Sequence, residues 1–242
     1  YHSDNPVVTR YDWALDKYDM SEYISDEMIE DYRQSYTPQR FKTEILGEFI
    51  KDESFVFGNF KDCITEPDDK VPVYAGIDFA TGNGNDSTVV TFLNKNKQIV
   101  NIWGTNKMQP AEQIETIANL INSMPTLKKV KAEVNSLGEV YYSTIEAKLK
   151  NKAIFEKFST TNESKRRIIE NLILAFQNHE IGISDDSNLI NQLSYFQIKK
   201  TKTGYTYEND NASTHDDYVM SLAIAYDCTK STGFNGSFGF SR

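Results

Sequence analysis

Only two cysteines, Cys63 and Cys228, occur among the 242 residues, and no C-x-x-C pair is present. A cysteine-based structural zinc site is thereby excluded, and two free thiols of a cytosolic protein are expected. Hydrophobic runs are short. None approaches the roughly 20 apolar residues of a membrane-spanning helix, and no secretory leader is read at the start. The G-x-x-x-x-G-K-[ST] loop that cradles nucleotide phosphates is absent as well. Positive charge is in deficit, with 26 Lys and Arg against 35 Asp and Glu, a net charge of −9. That balance excludes a chain whose whole surface is a basic footprint for nucleic acid. It leaves room for a local basic patch, or for a carboxylate cluster whose charge is cancelled by bound cations.

What the chain does have is apolar material for a core, 39% hydrophobic and 12% aromatic, enough for one large domain with an appendage. It starts on Tyr1 rather than Met, so it is read as a piece of something longer. Residues 1–70 are polar and rich in Tyr, Asp and Glu, and are expected to form a mainly helical linker segment. "SDEMIEDYRQSY" predicts a helix capped by Ser25, with Met28, Ile29 and Tyr32 at helical spacing. "TPQRFKTEILGEFI" predicts a second, with Thr37 as cap, Pro38 at the first position and Gly47 at the end. "ESFVFGNF" reads as extended.

Residues 71–230 change character. "VPVYAGIDFA" predicts a buried strand, and "DSTVVTFLNKNKQIVNIWG" two strands joined by the polar turn Asn94–Lys97. A helix in "PAEQIETIANLINSM", a strand in "LKKVKAEV", a helix in "LGEVYYSTIEAKLK" and a strand in "AIFEKF" follow. Then come a helix opening on Ser164, a helix in "LINQLSYFQ", a hairpin in "IKKTKTGYTYE", and a closing helix, "HDDYVMSLAIAYDC", apolar nearly all round and therefore buried. A meander followed by β-α-β units implies an α/β fold: a mixed five-stranded sheet with helices on both faces. That order matches the ribonuclease H-like fold. Residues 231–242 are Gly/Ser-rich and read as a flexible tail.

Acids stand at three related places in this pattern. Val73, Ala75, Ile77 and Phe79 share one face of their strand, and Asp78 takes the other near its C-terminal end. Glu133 does the same near the end of "VKAEV". Asp216 and Asp217 open the buried last helix, where carboxylates are favoured. Taken singly, Asp217 is equally a helix-start charge, Glu133 a solvated strand residue and Asp86 a turn residue. The combination is the signal. Like charges this close repel, which raises a pKa or demands a cation. Oxygen ligands from three elements suit Mg²⁺ or Mn²⁺ rather than zinc.

"GIDFATGNGNDSTVV", "KAEVNSLGEVYYSTI", "TTNESKRRIIENLILAFQNHEIGIS" and "STHDDYVMSLAIAY" resemble, in order and spacing, the nuclease domain of tailed-phage terminase large subunits. "PQRFKTEILGEFI" resembles the stretch that leads into it from the terminase ATPase domain. The resemblance implies a metal-dependent DNA endonuclease that cuts concatemeric viral DNA during genome packaging, by two-metal phosphodiester hydrolysis. It carries the catalytic and metal-holding acids onto Asp78, Glu133 (with Asn135 close by) and Asp217. Asp216 assists, and Asp86 matches an acid that helps place the second ion. His215 is read as a helix-start residue more than a base. The implied cofactors are two divalent cations, Mg²⁺ or Mn²⁺. The implied partners are double-stranded DNA, an upstream ATPase domain of the same protein, a portal protein and a small terminase subunit, in the host cytoplasm during virion assembly, with no membrane involved.

Phosphate contacts are expected from "SKRRI", at Lys165 and Arg166, and from "IKKTKTGYTY", at Lys199 and Lys200, with Tyr205 and Tyr207 interleaved. Arg167 and Lys202 are equally solvated surface charge. No base-reading element is visible, so little sequence preference is expected. Three other readings compete. A Holliday-junction-resolvase-like nuclease would share the metal site. An actin-like ATPase would use "GIDFATGNGND" as a phosphate turn, but needs a second such loop and a duplicated domain. A non-catalytic module would keep the fold alone.

Overall fold

In the computed structural model, residues 11–12, 17–18, 26–36, 41, 45, 56–58, 60–80, 86–135, 137–201, 204–209 and 215–230 are described. The five-stranded sheet is built around strand β1 (Tyr74–Asp78). Its apolar run is long enough to be buried on both faces, so it takes the centre. β2 (Thr88–Leu93) and β3 (Ile99–Thr105) continue from it as an antiparallel meander. The turn between them is held by the Asn94 side chain, whose Oδ1 accepts from Asn96 N and Gln98 N, both at 2.9 Å. On the other side, β4 (Lys129–Glu133) pairs parallel with β1, and β5 (Phe155–Phe158) parallel with β4. Parallel neighbours need a crossover. Helices α2 (Pro110–Ser123) and α3 (Leu137–Lys148) provide it. The sheet order is β3-β2-β1-β4-β5, the mixed arrangement expected from the order of elements.

Period-two alternation sorts the two faces. Ala75, Ile77, Phe92, Val130 and Ala132 turn towards Ile114, Ile117 and Ile121 of α2 and Tyr142 and Ile145 of α3. The other face is covered by the closing helix α6 (Asp217–Cys228), with α4 (Asn162–Gln177) and α5 (Ser187–Tyr195) beyond it. At the centre of that contact is Gly76. A Cβ there would lie 2.2 Å from both Ala225 N and Ser221 O, so only glycine lets the α6 backbone rest on β1. Thr91 and Ser221 hydroxyls meet at 2.8 Å in the same layer.

Near the far end of α6 an ion cluster around the buried Asp227 carboxylate ties the layers. Asp227 receives Lys131 of β4 and Arg167 of α4, each at 2.6 Å. Burial pushes the Asp227 carboxyl up, but these two cationic donors outweigh it and hold it below the ordinary range. Arg167 is therefore a structural partner and not free surface charge. Both cysteines are buried thiols.

Several local expectations are corrected. Helix α4 starts at Asn162, ahead of Ser164, because Thr161 caps it. Thr161 Oγ1 accepts from Ser164 N at 3.0 Å and Ser164 Oγ accepts from Thr161 N at 2.8 Å, a reciprocal box with serine in the usual glutamate place. Helix α5 stops at Tyr195, and Phe196 already belongs to strand β6 (Phe196–Thr201), which pairs with β7 (Gly204–Asn209). Of the "ESFVFGNF" stretch only residues 56–58 and 60 are described, and a tight 3-10 turn, Phe60–Cys63, begins on its last residue. Spacing by three places Phe57, Phe60 and Cys63 on one side, where they join the same buried cluster as Phe176 and Phe196. Tyr207 points inward, 2% exposed, with its hydroxyl 3.4 Å from Glu170, so it is no part of a nucleic-acid surface. Helix α1 (Asp26–Ser35) forms as expected. Its Ser25 cap, the Thr37, Pro38 and Gly47 signals, and the tail 231–242 lie outside the described residues.

Two stability outcomes follow from these contacts. Gly76→Ala is expected to cost about 3 kcal/mol, the upper end for overpacking because the clash is with backbone, read as a lower midpoint in chemical denaturation. Asp227→Ala leaves Lys131 without its buried counter-charge and is expected to cost about 3–5 kcal/mol in the same assay. A neutral result for either would show that α6 is not seated as described.

Candidate functional site

The register of the parallel pair sets the first two acids side by side. Ile77 is opposite Ala132, so the next residues along, Asp78 and Glu133, emerge together at the C-terminal edge of the sheet, on the α6 face. Resting α6 on Gly76 brings its first turn over that edge, with Asp217 opening the helix and Asp216 preceding it. Asp217 is pinned there, its Oδ2 accepting from Ser87 N at 2.7 Å. The N-terminus of α6 is further held by Gln192 Oε1, which accepts from Tyr218 N at 2.8 Å and Val219 N at 3.2 Å. These are donors that have no partner within the helix. Asp86 Oδ1 meets His215 Nδ1 at 2.5 Å. The result is one cleft of about 410 Å³ lined by Asp78, Asp86, Glu133, Asp216 and Asp217, with Asn135, Thr160, Lys165 and His215 among its other walls.

Charge in this cleft is far from balanced. The Asp78 carboxyl is raised well above its ordinary value, first by burial, then by its hydrogen bond to Glu133 and by the charges of Glu133, Asp217 and Asp216. Asp217 is pushed up to about 7: burial drives it, the charges of Asp216 and Asp86 add to it, and the Ser87 N–H and His215 oppose it. Lys165 answers from the first turn of α4, its Nζ 2.6 Å from Asp216 Oδ2. Burial works against the ammonium, but Asp216, Asp78 and Glu133 outweigh it and raise its pKa. The contact between Asp78 and Glu133 is therefore one that a proton or a cation stabilises.

The residues present fit a hard divalent cation. All the acid donors are oxygens. Thr160 Oγ1, another oxygen in the wall, is buried with no hydrogen-bond partner among the described residues. Among the described residues no three acids or histidines already stand at ligand geometry. Their oxygens are engaged with each other and with Lys165, His215, Ser87 and Asn135, whose Nδ2 donates to Glu133 Oε1 at 2.5 Å.

The five acids singled out from the sequence thus come together in one cleft. Among the described residues the basic side chains do not form one surface with them. Lys165 is inside the cleft on Asp216. Arg166 is half-buried on α4. Lys199 pairs with Glu208 across the β6–β7 hairpin. The Lys200 side chain and Lys202 lie outside the described residues. Sequence reasoning missed Thr160, Gln192 and Ser87. Ser87 and Thr160 lie within the quoted motif stretches but carry no acid or base that singles them out, Gln192 lies outside them, and only the packing brings the three to the acids.

In metal-free protein, the Asp217 carboxyl keeps its proton to about pH 7 when folded and ionises near 3.8 when unfolded. Between these values the folded state holds the extra proton, so stability falls as pH rises through that window and levels above it. Thermal unfolding in EDTA is expected to show this decline, and Asp217→Asn is expected to make it shallower. A melting temperature that rises over the same window would contradict the burial described.

Comparison with known proteins gives a consistent picture. A family model described as "Terminase RNaseH-like domain" matches residues 75–228. The large terminase subunits of Thermus phage G20c and Thermus virus P23-45 are each 32% identical over 62 residues, which is 26% of this chain and only 13% of those relatives. Among solved structures, the large terminase nuclease of thermophilic phage G20c overlays with a TM-score of 0.59 at 21% identity, covering 72% of this chain and 97% of that one. The large terminase of bacteriophage HK97 overlays with a TM-score of 0.57 at 11% identity, over 93% of this chain and 55% of its own. At these identities the overlays establish the fold, the ribonuclease H-like arrangement of sheet and helices. The family match spans more than half of the chain, from the central strand to the last residue of α6, and the chain belongs to the terminase RNaseH-like domain family.

Proposed function

We propose that this chain is the nuclease part of a large terminase, a metal-dependent endonuclease that cuts concatemeric viral DNA during genome packaging. The observation that carries this reading is the convergence of Asp78, Glu133, Asp216, Asp217 and Asp86 on one cleft, with carboxyls whose pKa values are raised as long as no cation balances them. Relatives of the same fold support it: the G20c nuclease has been solved with bound magnesium and with bound cobalt.

In this reading Asp78, Glu133 and Asp217 hold two divalent ions, Mg²⁺ or Mn²⁺. Asp217 is the primary helix ligand because it is buried and anchored by Ser87. Asp216 assists, and Asp86, oriented by His215, completes the second position. When bound, such ions make water acidic enough to attack at neutral pH and neutralise the charge on the departing oxygen. The chain's own part is to hold Asp78 and Glu133 side by side on adjacent strands, where their charges would face the ions. Lys165, now on Asp216, would be the cation within the cleft available to a substrate phosphate, with Arg166, Lys199 and Lys200 as outer contacts on double-stranded DNA. The wider setting belongs to the same proposal: residues 1–70 as a linker from an upstream ATPase domain, 71–230 as the nuclease, 231–242 as a tail, with portal and small-subunit partners in the host cytoplasm.

Supercoiled plasmid incubated with Mg²⁺, Mn²⁺ or EDTA tests this directly. Nicking and linearisation are expected with either metal, none in EDTA, and a loss of at least about 100-fold in Asp78→Asn, the scale of a removed charge-stabilising group. Cleavage that survives EDTA or Asp78→Asn would sink the reading. Preference for a four-way junction over plain duplex would favour a resolvase instead.

A further inference from the structure

Beside the carboxylate cleft lies a second one, of about 330 Å³, and His215 and Asp217 form a wall common to both. Its remaining walls come from four places: Ser87 ahead of β2, residues 104–106 at the end of β3, Asn188, Asn191 and Gln192 on α5, and Tyr218 on α6. Its chemistry differs from that of its neighbour. Among the described residues no Lys or Arg lines it, so it does not capture phosphate by charge. It presents side-chain amides, each with two N–H donors and a carbonyl acceptor. Asn188 is oriented by the Tyr218 hydroxyl, to which its Nδ2 donates at 3.2 Å. The phenol itself has room because residue 104 is glycine, where a Cβ would lie 2.6 Å from the Tyr218 oxygen. Asn106 and Asn191 are exposed.

We infer that this cleft seats the nucleotide next to the phosphate to be cut, and that Asn106, Asn188 and Asn191 read its base edge. The inference rests on the nuclease reading above and deepens it. A strand whose phosphate lies over Asp217 in the first cleft passes its next nucleotide across the same residue into the second. Neutral amides are the groups that match the mixed donors and acceptors of a base edge, and asparagine pairs in bidentate fashion with adenine. The expectation of cutting with little base preference is thereby replaced. One position flanking the cut carries a bias, with adenine the favoured base, while the rest of the strand is held by its backbone.

The first test sequences the ends made from a randomised plasmid library in Mn²⁺. Wild-type protein is expected to favour one base by about fivefold or more at a single flanking position, the low end for one bidentate contact. Asn106→Ala with Asn191→Ala is expected to flatten that position alone. A flat wild-type profile, or an unchanged profile in the variant, overturns the inference. The second test needs no cleavage: side-chain amide NMR signals are followed during titration with a deoxyadenosine dinucleotide and with its abasic analogue, in EDTA. Shifts of the Asn106, Asn188 and Asn191 amides with the first and not the second support the subsite. Equal shifts with both, or none with either, overturn it. If no DNA is cut in any metal, the nuclease reading fails by itself, and the titration still decides the cleft.

Discussion

The seating of α6 on the central strand is the contact from which the rest of the site follows. Gly76 removes the one Cβ that would hold the two backbones apart. With it gone, α6 lies close enough for Thr91 and Ser221 to bond beneath it, and its first turn arrives at the edge where β1 and β4 end. Asp217 then meets Ser87, and Asp216 meets Lys165. No acid is placed by its own interactions alone. Each is delivered by an element whose position is set by apolar packing elsewhere in the core.

Two buried carboxylate centres share this layer, and their contrast separates structure from function. Asp227 faces Lys131 and Arg167, and its pKa falls despite burial. Asp78 faces Glu133 in the same kind of surroundings, and its pKa rises. Lys131 and Glu133 are two residues apart on one strand and point the same way. The same sheet face therefore carries a satisfied cluster below and a frustrated one above. Repulsion of this kind is relieved by a proton or by a cation.

Much of the architecture was legible in the sequence. Apolar runs bounded by polar turns marked all five strands, and 3.6-residue periodicity marked the helices behind them. The deviations have two causes, one local and one tertiary. Thr161 displaced Ser164 as the start of α4 because caps act through local backbone geometry that periodicity does not register. The 3-10 turn that begins on the last residue of "ESFVFGNF" places Phe60 with Phe57 in the cluster that holds Phe176 and Phe196, residues more than a hundred positions away. The inward turn of Tyr207 is tertiary as well.

For the site, the sequence by itself determined which carboxylates stand at strand ends and at a helix start, because side-chain alternation and helix-start chemistry are local. It also determined that Gly76 sits within the first strand, though not what would press against it. Only the tertiary structure decided that five acids share one cleft and that Lys165 belongs inside it. Tertiary packing also decided that Arg167 belongs to the Asp227 cluster, and that an amide-lined cleft opens beside the acids. These are contacts between elements distant along the chain. Their energies depend on burial and on the charge of neighbours, quantities that exist only once the layers have packed.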